Sequence, residues 1–384
     1  MNVITLLNNP YNDDKVIDAC GLFGMMDLTG KCFGSKDPVK AISNMHERGN
    51  GLGGGFAIYG IYPEHKDDYA FHIMYLNAEV KEKVERFLSQ NFDVIEAEEI
   101  PTNPKDNIRN PPIIWRYFLQ PKKNAIKRQQ NDEDEYVLHN VMKINTESGG
   151  AFVLSSGKNM GVFKGVGFPE DIAEYFRLDE YEGYMWICHG RFPTNTPSWW
   201  GGAHPFSILD WAVAHNGELS SYGANRRFLE MHGYRCTMQT DSEIMVYALD
   251  LLARRHKLPM KVVAKVLAPP LWVEIDAMEP GKRELYIALR QTYGSLLMNG
   301  PFTIIAARTG EMIGLADRLK LRPLIAGIKG DLFFLSSEES AIRAVAPNLD
   351  KVWSPRGGEL VIGRLKKMEA PKAVDSEVGR WRVT

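Results

Sequence analysis

The sequence has few cysteines, and none of them lies in a metal-binding or disulfide pattern. The four cysteines among 384 residues (Cys20, Cys32, Cys188 and Cys236) are too widely spaced for a CxxC site and too few for a disulfide framework. The nine histidines show no HExxH or paired-ligand spacing, so no metal site is predicted. This cysteine usage favours a reducing, cytoplasmic setting.

Long hydrophobic runs and an excess of one charge are also missing. No stretch reaches 18 apolar residues, and residues 1–19 contain only one short apolar run, Val3 to Leu7, so neither a membrane anchor nor a signal peptide is predicted. Lysine plus arginine (46) against aspartate plus glutamate (48) gives a net charge of −2. This balance gives no electrostatic reason to expect nucleic acid or an anionic membrane as a partner.

The hydrophobic content of 44% is typical of a globular protein. The length of the chain predicts two or three domains, or one large unit that carries an insertion. Charged and proline-rich runs between residues 63 and 149 interrupt the pattern, and we interpret that segment as a peripheral insertion. Helical patterns at 38–48, 169–178 and 240–256 share the chain with short strands and glycine turns at 302–337. This mixture predicts an α+β layered core with antiparallel pairing.

The segment 240–256 is predicted to be an amphipathic helix, with Thr240 or Asp241 as its N-cap and basic residues at its end. The glycine run from Gly49 to Gly54 contains GxGxxG, but it follows a predicted helix and opens a strand. A dinucleotide site needs the reverse order, so a turn with positive φ is predicted here instead.

Cys20 begins the first core strand, after a short polar leader. If the bond between Ala19 and Cys20 is cut, the new N-terminal residue carries both a thiol and an α-amino group. The amine, with a pKa of about 7.7–8.0, would serve as the base for the thiol. The alternative for Cys20, taken alone, is a buried structural cysteine.

Four polar or glycine positions at strand or helix ends are further candidates. Arg191 follows a buried strand, where its guanidinium could bind a carboxylate or form a surface ion pair. Asn216 and Gly217 could form an oxyanion hole or a plain hairpin turn. Asp241 could hold a substrate ammonium or cap its helix.

Five short motifs, taken in order, resemble the class II glutamine amidotransferase domain of the N-terminal-nucleophile hydrolases. They are CGLFG at 20–24, HERG at 46–49, HGRFPTN at 189–195, HNGE at 215–218 and TDSE at 240–243. The resemblance covers about residues 20–60 and 150–365. It implies a four-layer αββα sandwich of two antiparallel sheets covered by helices.

The resemblance also implies a mechanism. Cys20 would attack the carbonyl of Ala19 and release residues 1–19, and would then attack the side-chain amide of glutamine. Asn216 and the Gly217 N–H would hold the oxyanion. Ammonia would leave, and water would cleave the glutamyl thioester.

For the substrate, the resemblance implies that Arg191 binds the α-carboxylate and that Asp241 binds the α-ammonium. Thr194 and the backbone around Phe192 would line the pocket. The first residues of two of these motifs, His189 and His215, are predicted to be structural.

The pattern KGVGFPEDIAEYF is most similar to the amidotransferase part of glutamate synthases. A propeptide, expected at 1–19, is the second reason for this similarity. The other expected parts are an amidotransferase domain at 20–365, with the insertion at about 63–149, and a tail at 366–384. The expected chain is a stand-alone subunit without its own cofactor, which passes ammonia to flavin-containing (FMN) and iron–sulfur synthase subunits. Alternatives are a subunit for N-methylglutamate synthesis, an amidohydrolase for a different amide, and a non-catalytic regulatory subunit.

Overall fold

The computed structural model describes residues 20–108, 110–129, 132–192 and 198–368. Its first strand, β1 (Gly21–Asp27), is buried along its whole length. Leu22 and Met26 pack into one apolar layer, whereas Phe23 and Met25 pack into another. Alternate side chains of a strand point to opposite faces, so this strand needs a covering layer on each side.

The first sheet contains seven strands, all paired antiparallel. In sheet order they are β17 (Lys351–Trp353), β15 (Ile325–Lys329), β16 (Leu332–Ser336), β1, β10 (Met185–Gly190), β3 (Gly54–Tyr59) and β8 (Met160–Gly165). Its outer face is covered by α1 (Lys36–Ser43), α5 (Pro169–Tyr175) and α11 (Glu339–Val345).

The second sheet contains five antiparallel strands. In order they are β11 (Phe206–Ile208), β12 (Trp211–Gly217), β13 (Phe302–Arg308), β14 (Glu311–Ala316) and β18 (Leu360–Arg364). Side chains of both sheets form one buried layer, for example Leu22 with Ile305. Helix α7 (Ser242–Leu249) packs on the outer face of this second sheet.

The remaining helices after β12 extend this outer layer. They are α6 (Tyr222–Met231), α8 (Met260–Leu267), α9 (Trp272–Asp276) and α10 (Pro280–Tyr293). Two sheets between two helical layers confirm the α+β, αββα architecture that the sequence predicted. No helix in the described ranges is long and apolar enough to cross a bilayer.

The segment from residue 63 to 149 forms most of a third, four-stranded antiparallel sheet. Its order is β5 (Phe92–Glu99), β6 (Ile113–Pro121), β4 (Tyr69–Tyr75) and β7 (Ala151–Ser155). Its helices are α2 (Ala78–Asn91), α3 (Lys123–Gln129) and α4 (Glu133–Glu147). Apolar side chains of this sheet and of α7 share one core cluster, so the segment packs directly on the sandwich.

Short elements complete the chain. β2 (Phe33–Gly34) pairs with β9 (Glu182–Gly183). Single 3₁₀ turns occur at His46–Arg48, Pro63–His65, Leu178–Glu180, Trp200–Gly202, Gly294–Leu296 and Lys366–Met368.

A helix is present within 240–256, but the prediction that it is amphipathic, with one exposed face, is wrong. All eight residues of α7 are buried, because α6 packs on the helix and the third sheet joins the same core. The helix continues at Asp250–Arg255 as a π-helix. The apolar stripe read from the sequence is therefore only part of a surface that is covered on every side.

Candidate active site

Two neighbouring strands bring Cys20 and Arg191 together. β1 and β10 pair antiparallel with Gly21 opposite Gly190. Cys20 precedes the first of these strands and Arg191 follows the second, so both lie at the same end of this strand pair. The sequence predicted Arg191 at a strand end, and the pairing adds that Cys20 is its neighbour.

The Cys20 thiol is held by the main chain of Phe192. Its sulfur accepts a hydrogen bond from the Phe192 N–H at 3.3 Å and lies 3.9 Å from the Phe192 carbonyl oxygen. Burial raises the pKa of the thiol, although the Phe192 N–H and the charge of Arg191 oppose this effect. The thiol is therefore protonated at neutral pH, and nucleophilic attack by it requires a base.

Arg48 fixes the main chain of Cys20, a contact that sequence reasoning missed. Its Nε donates to the Cys20 carbonyl oxygen at 3.4 Å, and its Nη1 forms an ion pair with Glu338 at 2.7 Å. The HERG motif contained this arginine, but nothing in the sequence indicated its partner 290 residues away. Through this ion pair and its hydrogen bond to Cys20, Arg48 ties the residue before β1 to Glu338, which lies just after the end of β16.

Arg191 is buried, with 3% of its surface exposed. Its main-chain N–H donates to the Gly53 carbonyl oxygen at 2.8 Å. Burial lowers the pKa of its guanidinium, whereas Cys20, Asp241 and Glu218 act in the opposite direction. A buried guanidinium near the thiol, with a carboxylate in electrostatic range, is suited to an anionic ligand group.

The end of β12 carries an unpartnered hydrogen-bond donor. Asn216 is 1% exposed, and its Nδ2 has no hydrogen-bond partner among the described residues. At Gly217 φ is +151°, and a Cβ there would lie 2.0 Å from the Pro301 carbonyl oxygen, so no other residue fits. A buried donor left unpaired costs about 1–3 kcal/mol, which is understandable where a ligand supplies the acceptor.

A histidine connects the two strand ends. His189 Nε2 lies 3.0 Å from the His215 carbonyl oxygen, so β10 is bonded to the residue just before Asn216. Burial lowers the pKa of His189 to about 3 and also lowers that of His215. Both rings are therefore neutral near pH 7. That both are purely structural stays a prediction.

Asp241 occupies the N-cap position of α7, but its side chain makes no capping hydrogen bond. Its Oδ2 accepts the Leu219 N–H at 2.8 Å, and its Oδ1 accepts the Ser242 hydroxyl at 3.2 Å. Ser242 in turn lies 2.8 Å from His215 Nδ1. The carboxylate thus holds the loop that follows Gly217 and stays 14% exposed.

Two predicted residues, Ala19 and Thr194, lie outside the described residues. For the glycine run the prediction of a turn is confirmed. Gly51 has φ +73°, and the run follows the 3₁₀ turn at His46–Arg48 and leads into β3, the reverse of a dinucleotide-binding order.

Comparison with known proteins supports the protein class that the five sequence motifs resemble. The family described as glutamine amidotransferases class-II matches residues 59–367. An uncharacterized protein of Archaeoglobus fulgidus is 60% identical over 93% of this chain and 95% of its own length. A Methanothermobacter thermautotrophicus protein, provisionally named a glutamine amidotransferase, is 26% identical over 85% of this chain and 93% of its own.

The amidophosphoribosyltransferase of Methanocaldococcus jannaschii is 26% identical over 56% of this chain, and the match spans 40% of that protein. The chain belongs to the class-II glutamine amidotransferases. It is a glutamine amidotransferase in general terms, and the matched region contains Arg191, Asn216, Gly217 and Asp241.

Proposed function

We propose that this chain is the glutaminase subunit of a glutamate synthase. It hydrolyses L-glutamine through a Cys20 thioester and delivers the ammonia to a separate, flavin-containing synthase subunit. The observation that supports the chemistry most is the position of the thiol. Cys20 lies immediately before β1, beside the buried Arg191. The end of β12, which is hydrogen-bonded to β10, carries the unpartnered amide donor of Asn216.

Burial keeps the Cys20 thiol protonated, so a separate base must remove its proton before the sulfur can attack. Release of residues 1–19 would give Cys20 a free α-amino group, whose pKa of about 7.7–8.0 suits a base near neutral pH. The amine takes the thiol proton while the sulfur bonds to the glutamine amide carbon. The same proton then passes to the leaving nitrogen, so ammonia departs and a thioester remains.

The developing oxyanion would be stabilised by the Asn216 Nδ2 and the Gly217 N–H. Water then adds to the thioester, and its cleavage releases glutamate and regenerates the thiol. Arg191 would bind the α-carboxylate and Asp241 the α-ammonium, so the two groups together select a free amino acid over a simple amide. Phe192 contributes its main chain, which already contacts the sulfur.

Processing tests the free-amine mechanism. We expect the intact mass of the purified protein to lack residues 1–19 and its N-terminal sequence to begin at Cys20. Cys20→Ala should retain all 384 residues, since no thiol is present to attack the preceding carbonyl. Cys32→Ala, at an exposed cysteine, is the control and should be processed normally. An active enzyme that still begins at Met1 would contradict this mechanism.

The pH dependence tests the identity of the base. Because the amine must be neutral to accept a proton, kcat/KM should rise with pH and level off above an apparent pKa of about 7.7–8.0. One pH unit below that value the rate should be about tenfold below the plateau. Burial lowers the pKa of His189, His204 and His215, so these rings should not titrate in this range. A flat profile from pH 6 to 9 would rule out the amine.

Substrate choice tests the function itself. The enzyme should release ammonia and glutamate in equal amounts from glutamine and should act at least 100-fold more slowly on butyramide, which lacks both α-substituents. A preference for the simple amide would exclude the amidotransferase proposal. For the acceptor, addition of a flavin-containing synthase subunit, 2-oxoglutarate and a two-electron reductant of the flavin should convert the released ammonia into a second glutamate, because reductive amination of the keto acid consumes two electrons. Failure of that step alone would leave the glutaminase reaction intact and exclude the synthase assignment.

A further inference from the structure

Lys164 is a buried cation that the proposed mechanism does not use. It lies on β8 with 1% of its surface exposed. The pairing of Gly55 with both Lys164 and His189 places these two side chains on the same face of the first sheet, two strands apart. Its Nζ donates to the Gly201 carbonyl oxygen at 3.0 Å and lies 4.3 Å from the centre of the Phe206 ring.

The hydrogen bond from Lys164 holds a tightly folded segment, Trp199–Ala203, which we call the tryptophan strap. The Trp199 indole lies against the strap's own backbone, since a Cβ at Gly201 would be 2.3 Å from the ring and one at Gly202 would be 2.8 Å from Nε1. The indole Nε1 donates to the Met238 carbonyl oxygen at 3.1 Å.

The Met238 end of this contact is itself fixed. Its N–H donates to a carboxylate oxygen of Glu243 at 2.9 Å, and Glu243 also accepts the Thr237 N–H and the Tyr247 hydroxyl. The strap is therefore held at two points, one on β8 through Lys164 and one on the first turn of α7 through Met238.

The strap forms one wall around the guanidinium of Arg191. A Cβ at Gly202 would be 3.5 Å from Arg191 Nη1. On the other side, a Cβ at Gly53 would be 2.9 Å from Arg191 Cδ and 3.5 Å from the Ala203 Cβ, so the strap and the arginine side chain meet over the same glycine. A displacement of the strap would therefore remove one of the surfaces that the guanidinium packs against.

We propose that Lys164 is a positioning residue for glutamine binding, which fixes the orientation of the Arg191 guanidinium by anchoring the tryptophan strap. The inference rests on the proposed role of Arg191 as the ligand of the substrate α-carboxylate. A bidentate carboxylate contact depends on the angle of the guanidinium, and misplacement by about 1 Å can cost up to about 100-fold.

The charge state of Lys164 is consistent with a role that needs its N–H group more than its charge. Burial lowers its pKa to about 7, with Glu243 acting in the opposite direction. The neutral amine and the ammonium both have N–H groups to donate to Gly201, so the anchor persists through this titration.

Lys164→Met tests the inference, because methionine keeps the length of the side chain and removes the donor. We expect KM for glutamine to rise about tenfold, with kcat and the release of residues 1–19 changed less than twofold. Lys158→Met is the matched control, since that lysine is 40% exposed, pairs with Glu133 and does not touch the strap. If Lys164→Met does not fold, Trp199→Phe replaces it, because it removes the indole donor at the other anchor and keeps an aromatic ring in the strap. The same KM pattern is expected.

A double-variant comparison shows whether Lys164 acts through Arg191. In an Arg191→Ala background, Lys164→Met should change kcat/KM for glutamine less than twofold. A full tenfold additional loss there, or an unchanged KM in the single variant, would overturn the inference. If Arg191→Ala alone leaves KM unchanged, the failure lies in the proposed role of Arg191 and not in the contact between strap and lysine.

Discussion

Cys20→Ala in a chain expressed from residue 20 should lose ammonia release from glutamine by a factor on the order of 10⁴ or more, as for other covalent nucleophiles. Starting at residue 20 separates catalysis from processing. The reason is chemical, since alanine offers no atom that can bond to the amide carbon. The loss should lie in kcat, measured as ammonia release by the purified protein.

Glutamine binding provides the control for this variant. The Arg191 and Asp241 contacts do not involve the sulfur, so Cys20→Ala should still bind glutamine, as followed by calorimetry or by a rise in Tm with glutamine concentration. Cys236→Ala, in the loop between α6 and α7, should keep full activity. Activity within tenfold of the unaltered enzyme would mean that another group is the nucleophile.

Asn216→Ala should lower kcat by about 10²–10³ while KM for glutamine changes less than about threefold, because the oxyanion exists only in the transition state. The Nδ2 of Asn216 is buried and unpartnered in the described structure, so its main expected partner is that oxyanion. Asn216→Asp replaces the donor by a carboxylate oxygen and should lose at least as much. Steady-state kinetics on both variants provide the measurement.

A different pattern would change the assignment of Asn216. If KM rises and kcat is retained, the amide binds ground-state substrate and is not part of an oxyanion hole. A large fall in Tm in Asn216→Asp would indicate that the side chain serves folding.

Much of the fold follows from local patterns. The apolar runs around Phe23 and Ile187 predict buried strands, and the pairing of these strands is what places Cys20 beside Arg191. Strands that alternate with glycine turns after Phe302 likewise predict two antiparallel hairpins, β13–β14 in the second sheet and β15–β16 in the first. These features depend on residues close in sequence, which is why a single sequence can show them.

Contacts between distant segments could not be predicted in this way. The ion pair of Arg48 with Glu338 and the bond of Lys164 to Gly201 depend on how the sheets and loops meet. Similarly, Asp241 has the sequence position of a helix cap, yet the neighbouring β12 loop offers the Leu219 N–H and takes its carboxylate. Tertiary geometry decides among local options that the sequence leaves open.

The burial of α7 and the packing of the third sheet show the same limit of local sequence patterns. The charged runs between residues 63 and 149 suggested a peripheral segment, but apolar residues such as Phe71 and Tyr136 lie between those runs and join the core of the sandwich. Runs such as Tyr69–Tyr75 (YAFHIMY) indicate buried strands, but nothing in them shows which core they join. The helix they help to cover is therefore buried on faces that its own pattern did not mark.

The central claim is that Cys20, at the mature N-terminus, is the nucleophile. Selective alkylation tests this claim most directly. The processed protein is treated with iodoacetamide, with or without saturating glutamine, and modification of each cysteine is measured by peptide mass spectrometry alongside ammonia release. The account predicts that activity falls in proportion to modification of Cys20 and that glutamine slows both. Full modification of Cys20 with ammonia release unchanged would contradict it.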